Sequence, residues 1–118
     1  MGAENFSAVE NYITKIRRRR KVTGIVIVGD MNFPNVNWTD FVTTDPTEQL
    51  FLNMFGNISL EQLIDTPTHI KSNILDYLMT DIAHLVKNLS VDSNNLICGC
   101  DHYPIKFNLL LNKIKINL

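Results

Sequence analysis

An α/β domain is the fold class this sequence predicts, from a helical apolar period near its start, a β-branched run just after it, and a late alternating segment. From about Ala3 to Arg19, Phe6, Val9, Ile13 and Ile16 recur at spacings of three and four, which places them on one face of a helix. Val22 to Gly29 reads Val-Thr-Gly-Ile-Val-Ile-Val-Gly, a continuous apolar run of strand length that predicts a strand covered on both faces. Ile105 to Ile116 alternates between apolar and polar residues and predicts a closing strand.

The segments between these follow from their punctuation. Asp30 to Asp45 is rich in Asn, Pro, Asp and Thr and predicts a long packed loop anchored by Phe33, Val36, Trp38 and Phe41. Asp45 and Pro46 have the chemistry of a helix start, and Leu50, Phe51, Met54 and Phe55 supply an apolar stripe before Gly56. A short helix or extended piece covers Ile58 to Ile64, and Ile74 to Met79 reads as a strand with one acid, Asp76, at its centre. Asp92 to Asn95 is a turn cluster. No repeat, low-complexity tract or linker asks for a second domain.

With 118 residues, 45% hydrophobic and 19% charged, the chain fits a single core and lies outside the composition of disorder. A chain of this length buries roughly two-thirds of its unfolded surface, so disulfide staples are not needed. Cys98 and Cys100 are separated by one glycine, a spacing that suits neither a zinc knuckle nor a redox pair, so both are expected to be reduced and structural. A net charge of −1 excludes the broad positive field of a dedicated nucleic-acid binder, so any grip on nucleic acid must be local. The local candidate is Arg17 to Lys21, read first as a solvated helix end meeting the negative pole of the helix dipole, with phosphate contact or nuclear import as alternatives. Neither a secretory leader nor a membrane-length apolar run is visible, and the expectation is an intracellular protein, nuclear or cytoplasmic, without a membrane partner.

Three clusters place acids, amides or imidazole at strand ends. In Gly29-Asp30-Met31-Asn32, extended backbone would put Asp30 and Asn32 on one side, a carboxylate able to hold a cation beside an amide able to donate to a phosphate oxygen. The same Asp-x-Asn pattern also suits a plain turn. Asp76 interrupts an apolar strand, where a lone buried carboxylate costs several kcal/mol unless it meets a partner such as histidine, or lies on an exposed edge. Cys100-Asp101-His102 sets an acid beside an imidazole that titrates near neutrality.

Taken in this order, the clusters resemble the late motifs of the endonuclease/exonuclease/phosphatase superfamily: G-D-x-N after a buried strand, an L-D-x-hydrophobic strand, and a final S-D-H. A finer resemblance is to the endonucleases of jockey-like non-LTR retrotransposons, carried in reverse transcriptase polyproteins. Gly29 to Trp38 is similar to their G-D-F-N-x-P-x-[IV]-x-W stretch, and Leu60 to His69 with Asn73 to Asp76 is similar to their L-x-Q-L-V-x-x-P-T-R and N-x-L-D pair. Cys100, Met31 and His69 depart from the usual Ser, Phe and Arg. His69 and His84 are expected at the surface.

The resemblance implies the C-terminal half of a two-sheet α/β sandwich, a mixed sheet with flanking helices, as one partial domain over residues 1–118 that lacks its N-terminal half. That half carries in the family an Asn, a metal-binding Glu and a tyrosine or similar residue near the phosphate. The implied activity is Mg²⁺- or Mn²⁺-dependent hydrolysis of a DNA phosphodiester leaving a 3′-hydroxyl, reduced or lost in a truncated form. Asp30, Asn32, Asp76 and His102 would be catalytic, Asp101 and Asp30 would hold the metal, and Asp76 would orient His102. A half domain would leave the inner sheet face open for self-association. The alternatives are a non-catalytic interaction module on the same fold, and a phosphatase of the same superfamily, against which the P-x-V-x-W and P-T-H stretches argue.

Overall fold

The computed structural model of the chain describes residues 3–19, 21–94 and 101–111. Helix α1 spans Ala3–Arg17, strand β1 Val26–Asp30, helix α2 Pro46–Asn57, strand β2 Glu61–Gln62, strand β3 Asp76–Thr80, strand β4 Val86–Val91 and strand β5 Ile105–Leu109. A 3-10 turn at Ala83–Leu85 leads into β4. One sheet has the order β1-β3-β2 and the other pairs β4 with β5. The α/β class is therefore as expected, with two helices and two sheets among the described residues. Where a mixed sheet was expected, every described pairing is antiparallel: β3 starts opposite the Asp30 end of β1 and runs back between β1 and β2. The described part of the expected closing strand is β5, and residues 112–118 lie outside the description, as do Cys98 and Cys100. Among the described residues no helix is long and apolar enough to cross a membrane.

Strand alternation assigns the two faces of the first sheet different work. Ile27, Tyr77 and Met79 face the helices, where Phe6 and Ile13 of α1 and Phe51, Leu52, Met54 and Phe55 of α2 close the core with Phe33. The rings meet edge-on or tilted, with Phe33 and Phe51 centroids 5.0 Å apart and Trp38 and Tyr77 5.0 Å apart, as aromatic quadrupoles prefer. On the α2 stripe the structure substitutes Leu52 for Leu50, which is 46% exposed.

The opposite face carries Val26, Val28 and Asp30 of β1 against Thr80, Leu78 and Asp76 of β3. Val28 is 46% exposed although Leu78 opposite it is fully buried. The strand expected to be covered on both faces is thus half open, and β3 is the buried one. A β-branched run reports that the backbone suits a pleated strand, and leaves its neighbours in the sheet unspecified.

Asp45 starts α2 as its cap, accepting from the amides of Thr47 and Glu48 at 2.9 and 3.0 Å, with Pro46 in the first turn. Glu48, only 2% exposed, then turns back to the preceding loop. Its Oε1 accepts the Asn35 amide at 3.0 Å and its Oε2 the Thr43 hydroxyl at 3.2 Å, while that hydroxyl accepts the Asp45 amide. One carboxylate thereby fixes the long loop that follows Asp30. Phe41 at the loop's tip has a left-handed φ of 60°, and its ring lies 5.6 Å from Trp38 and 5.5 Å from Phe55.

The basic run divides. Arg17 donates to the Ile58 carbonyl beyond α2 and to Asp81 at 3.1 Å, and Asp81 also accepts the Ile25 amide at 2.7 Å. Arg17 therefore joins both helices to the sheet, while Arg18, Arg19 and Lys21 are exposed. These cations sit at the Val26 end of β1, the end away from Asp30. Replacing Glu48 with Ala removes the acceptor of a loop amide and a hydroxyl, and is expected to lower stability by about 1–3 kcal/mol in urea denaturation. Glu48→Gln, which keeps an acceptor, is expected to lose less.

Candidate active site

The last residue of β1 and the first of β3 are both aspartates, and the antiparallel register sets Asp30 directly opposite Asp76. Like charges at such positions repel, so the pair calls for a positive or donating neighbour. His102 supplies it. Its Nδ1 lies 2.7 Å from Asp76 Oδ2 and its Nε2 3.6 Å from Asp30 Oδ2. One ligand atom from each of the three residues falls within 4.8 Å of the others. Asp76 is 16% exposed at its side chain, so the carboxylate that interrupts an apolar strand has found the histidine partner its burial requires.

Thr68 holds this arrangement together from within. It is fully buried, and its hydroxyl accepts the amides of Leu75 and Asp76 at 3.0 and 3.1 Å. Its carbonyl accepts the Tyr103 amide at 2.8 Å and its own amide donates to Asn73 at 2.9 Å. A single threonine thus joins the acid strand to the segment that delivers His102. The neighbouring residue completes the junction through a lone antiparallel bridge between His69 and His102.

The residues singled out in the sequence take different places here. Asp30, Asp76 and His102 converge. Asn32 does not share an extended face with Asp30: β1 stops at Asp30, the amides of Met31 and Asn32 both reach the Leu75 carbonyl at 2.9 and 3.3 Å, and Asn32 adopts a φ of 53°. Two amides on one carbonyl make a bulge-like ending, and asparagine tolerates the left-handed backbone it requires. Its side chain is exposed. Asp101 is 58% exposed, and its Oδ2 lies 3.3 Å from His69 Nε2. His84 is exposed, as expected, whereas the His69 side chain is only 11% exposed. His69 is thus half-buried, since the turn folds it against the final motif, which a histidine following Pro-Thr does not signal in sequence.

Electrostatics favour protonation of His102. Its pKa lies above the ordinary 6.5 chiefly because Asp76 accepts its hydrogen bond; partial burial works the other way, and the charges of Asp76, Asp30 and Asp101 add to the rise. Tyr77, adjacent to Asp76, faces the core instead: burial pushes its hydroxyl up to about 12, eased by the Trp38 indole, and it donates to the Phe33 carbonyl at 3.3 Å. As an oxygen donor Asp30 suits a hard divalent cation that keeps most of its waters, while Asp76 is engaged with His102 and Asp101 lies outside this three-residue group.

Because the folded chain binds the His102 proton more tightly than the unfolded chain, its contribution to stability is full below the ordinary value of 6.5 and is lost as pH rises through the folded value. Asp76→Asn is expected to bring the His102 midpoint, followed by imidazole NMR, back towards 6.5 and to flatten the fall of Tm with pH above it. An unchanged midpoint would remove Asp76 as the cause.

Residues 2–106 match the model of the endonuclease-reverse transcriptase family. No curated protein and no solved structure matches the chain. With most of its length covered by that match, the chain belongs to the endonuclease-reverse transcriptase family.

Proposed function

We propose that the chain carries part of the catalytic site of a divalent-metal-dependent DNA endonuclease, of the kind found in non-LTR retrotransposons. The observation that carries this reading is the pair of opposed aspartates closed by His102. Family membership supports nuclease-type chemistry, and the geometry supports the division of labour that follows.

Asp76 holds the His102 ring by Nδ1, which leaves Nε2 directed at Asp30 and at solvent. A protonated His102 presents an N–H there to a non-bridging phosphate oxygen, where negative charge grows during in-line attack. The exposed Asn32 amide adds a neutral donor to the same phosphate. Asp30 and Asp101 would hold Mg²⁺ or Mn²⁺, which when bound screens the phosphate charge and acidifies a water. The open β1 face, with Val28 exposed beside buried Leu78, supports reading these residues as one half of a domain whose activity is reduced without a second half. That same face is the proposed route of self-association.

Supercoiled plasmid incubated with the chain and Mg²⁺ is expected to be nicked weakly, and His102→Ala to lower the rate by about 10²–10⁴-fold. Nicking that survives both Asp101→Ala and His102→Ala would place the chemistry elsewhere. In calorimetry, Mn²⁺ is expected to bind with a heat that Asp30→Asn diminishes. A native chain that takes up no Mn²⁺ would instead be a non-catalytic interaction module on this fold.

A further inference from the structure

The site contains a second imidazole to which the mechanism assigns no work. We propose that His69 is a positioning residue, which fixes the Asp101 carboxylate through its Nε2 and braces the His102 ring with its own. The functional consequence of this role rests on the reading above; the geometry does not.

The local chain explains how His69 comes to be available. His69 opens a tight turn in which the Ser72 amide donates to the His69 carbonyl at 2.9 Å, and Ser72 takes a φ of 68°. That turn brings the Lys71 amide to His69 Nδ1 at 3.1 Å. A nitrogen that accepts a backbone N–H carries no proton, so in the neutral ring the proton resides on Nε2. Nε2 is the atom that lies 3.3 Å from Asp101 Oδ2, so the proton stands on the side of the ring nearest that carboxylate. The same tautomer argues against His69 as a metal ligand, because the nitrogen left accessible has no free lone pair.

Two further contacts tie the final motif to this turn. The Ile70 amide donates to the Asp101 carbonyl at 3.0 Å, fixing the backbone below the carboxylate that His69 holds above. The His69 ring stands edge-on to His102, with centroids 5.1 Å apart and planes at 83°. His102 is therefore gripped by Asp76 at Nδ1 and braced by an 11% exposed neighbour. Asp101, by contrast, is 58% exposed, and a carboxylate that open would sample several rotamers without a partner. Holding it in one orientation is what a preorganised site requires of its supporting residues.

Two variants separate the two actions. His69→Gln keeps a donor without the ring, and His69→Phe keeps the ring without a donor. Long-range ¹H–¹⁵N spectra of the native chain are expected to show His69 protonated at Nε2, and Asp101→Ala to shift that signal while leaving His84 unmoved. An Nδ1-protonated His69, or a signal indifferent to Asp101→Ala, would overturn the proposal with no metal involved. In Mn²⁺ calorimetry, His69→Ala and His69→Phe are expected to weaken binding by about 10-fold or more, with His69→Gln restoring most of it. Equal affinity in native, Ala and Gln chains that share one Tm would also overturn it. A native chain that binds no Mn²⁺ yet shows the expected spectra would end the metal reading and leave the positioning role standing.

Discussion

Backbone pairing between β1 and β3 leaves Asp30 and Asp76 no choice but to face each other. Directly opposed like charges on a sheet are unfavourable by about 0.2–1 kcal/mol, and the register that creates the conflict cannot relax without breaking the ladder. The rest of the site is arranged around that constraint. His102 enters from a distant segment to meet Asp76, Thr68 secures the segment, and the bend at Met31 and Asn32 ends β1 where the acids begin.

A strongly packed platform makes such a pair tolerable. Phe33, Phe51, Tyr77 and their neighbours fill the helix-facing side of the sheet, and Glu48 fastens the long loop over α2. The aromatic cluster thus lies behind the sheet, on the face away from the acids, while Leu78 and Thr80 are buried on the acid face itself. Arg17 serves the same separation: among the described residues of the basic run it is the one held by ion pairing and by the Ile58 carbonyl, and it works at the opposite end of β1.

Local signals in the sequence were read well. The apolar period gave α1, Asp45 with Pro46 gave the start of α2, and the G-D-x-N, L-D and D-H motifs gave three of the residues that meet. The errors arise where non-local contacts decide. Val22 to Gly29 has the composition of a central strand, yet β1 is paired on one side only among the described residues, and composition cannot count neighbours. Alternation placed Asn32 beside Asp30 on the assumption of extended backbone, and a two-amide grip by Leu75 ended that backbone first. Leu50 and Leu52 are interchangeable by hydropathy, and only the packing of α2 against α1 separates them. The place of His69 was not legible because the contacts that hold its ring, to Asp101 and to the His102 ring, come from a distant segment of the chain.

The two faces of β3 alternate residue by residue: Asp76 and Leu78 point one way, Tyr77 and Met79 the other. A slip of this strand by one position would drive a carboxylate among the phenylalanine rings and strand a tyrosine in water. The aromatic core therefore acts as a proofreader of alignment: any misthreaded pairing that would pull the two aspartates apart also forfeits the burial that makes the sheet fold. Correct spacing of the acids is inherited from hydrophobic selection, and drift at their own positions leaves the frame that spaces them intact.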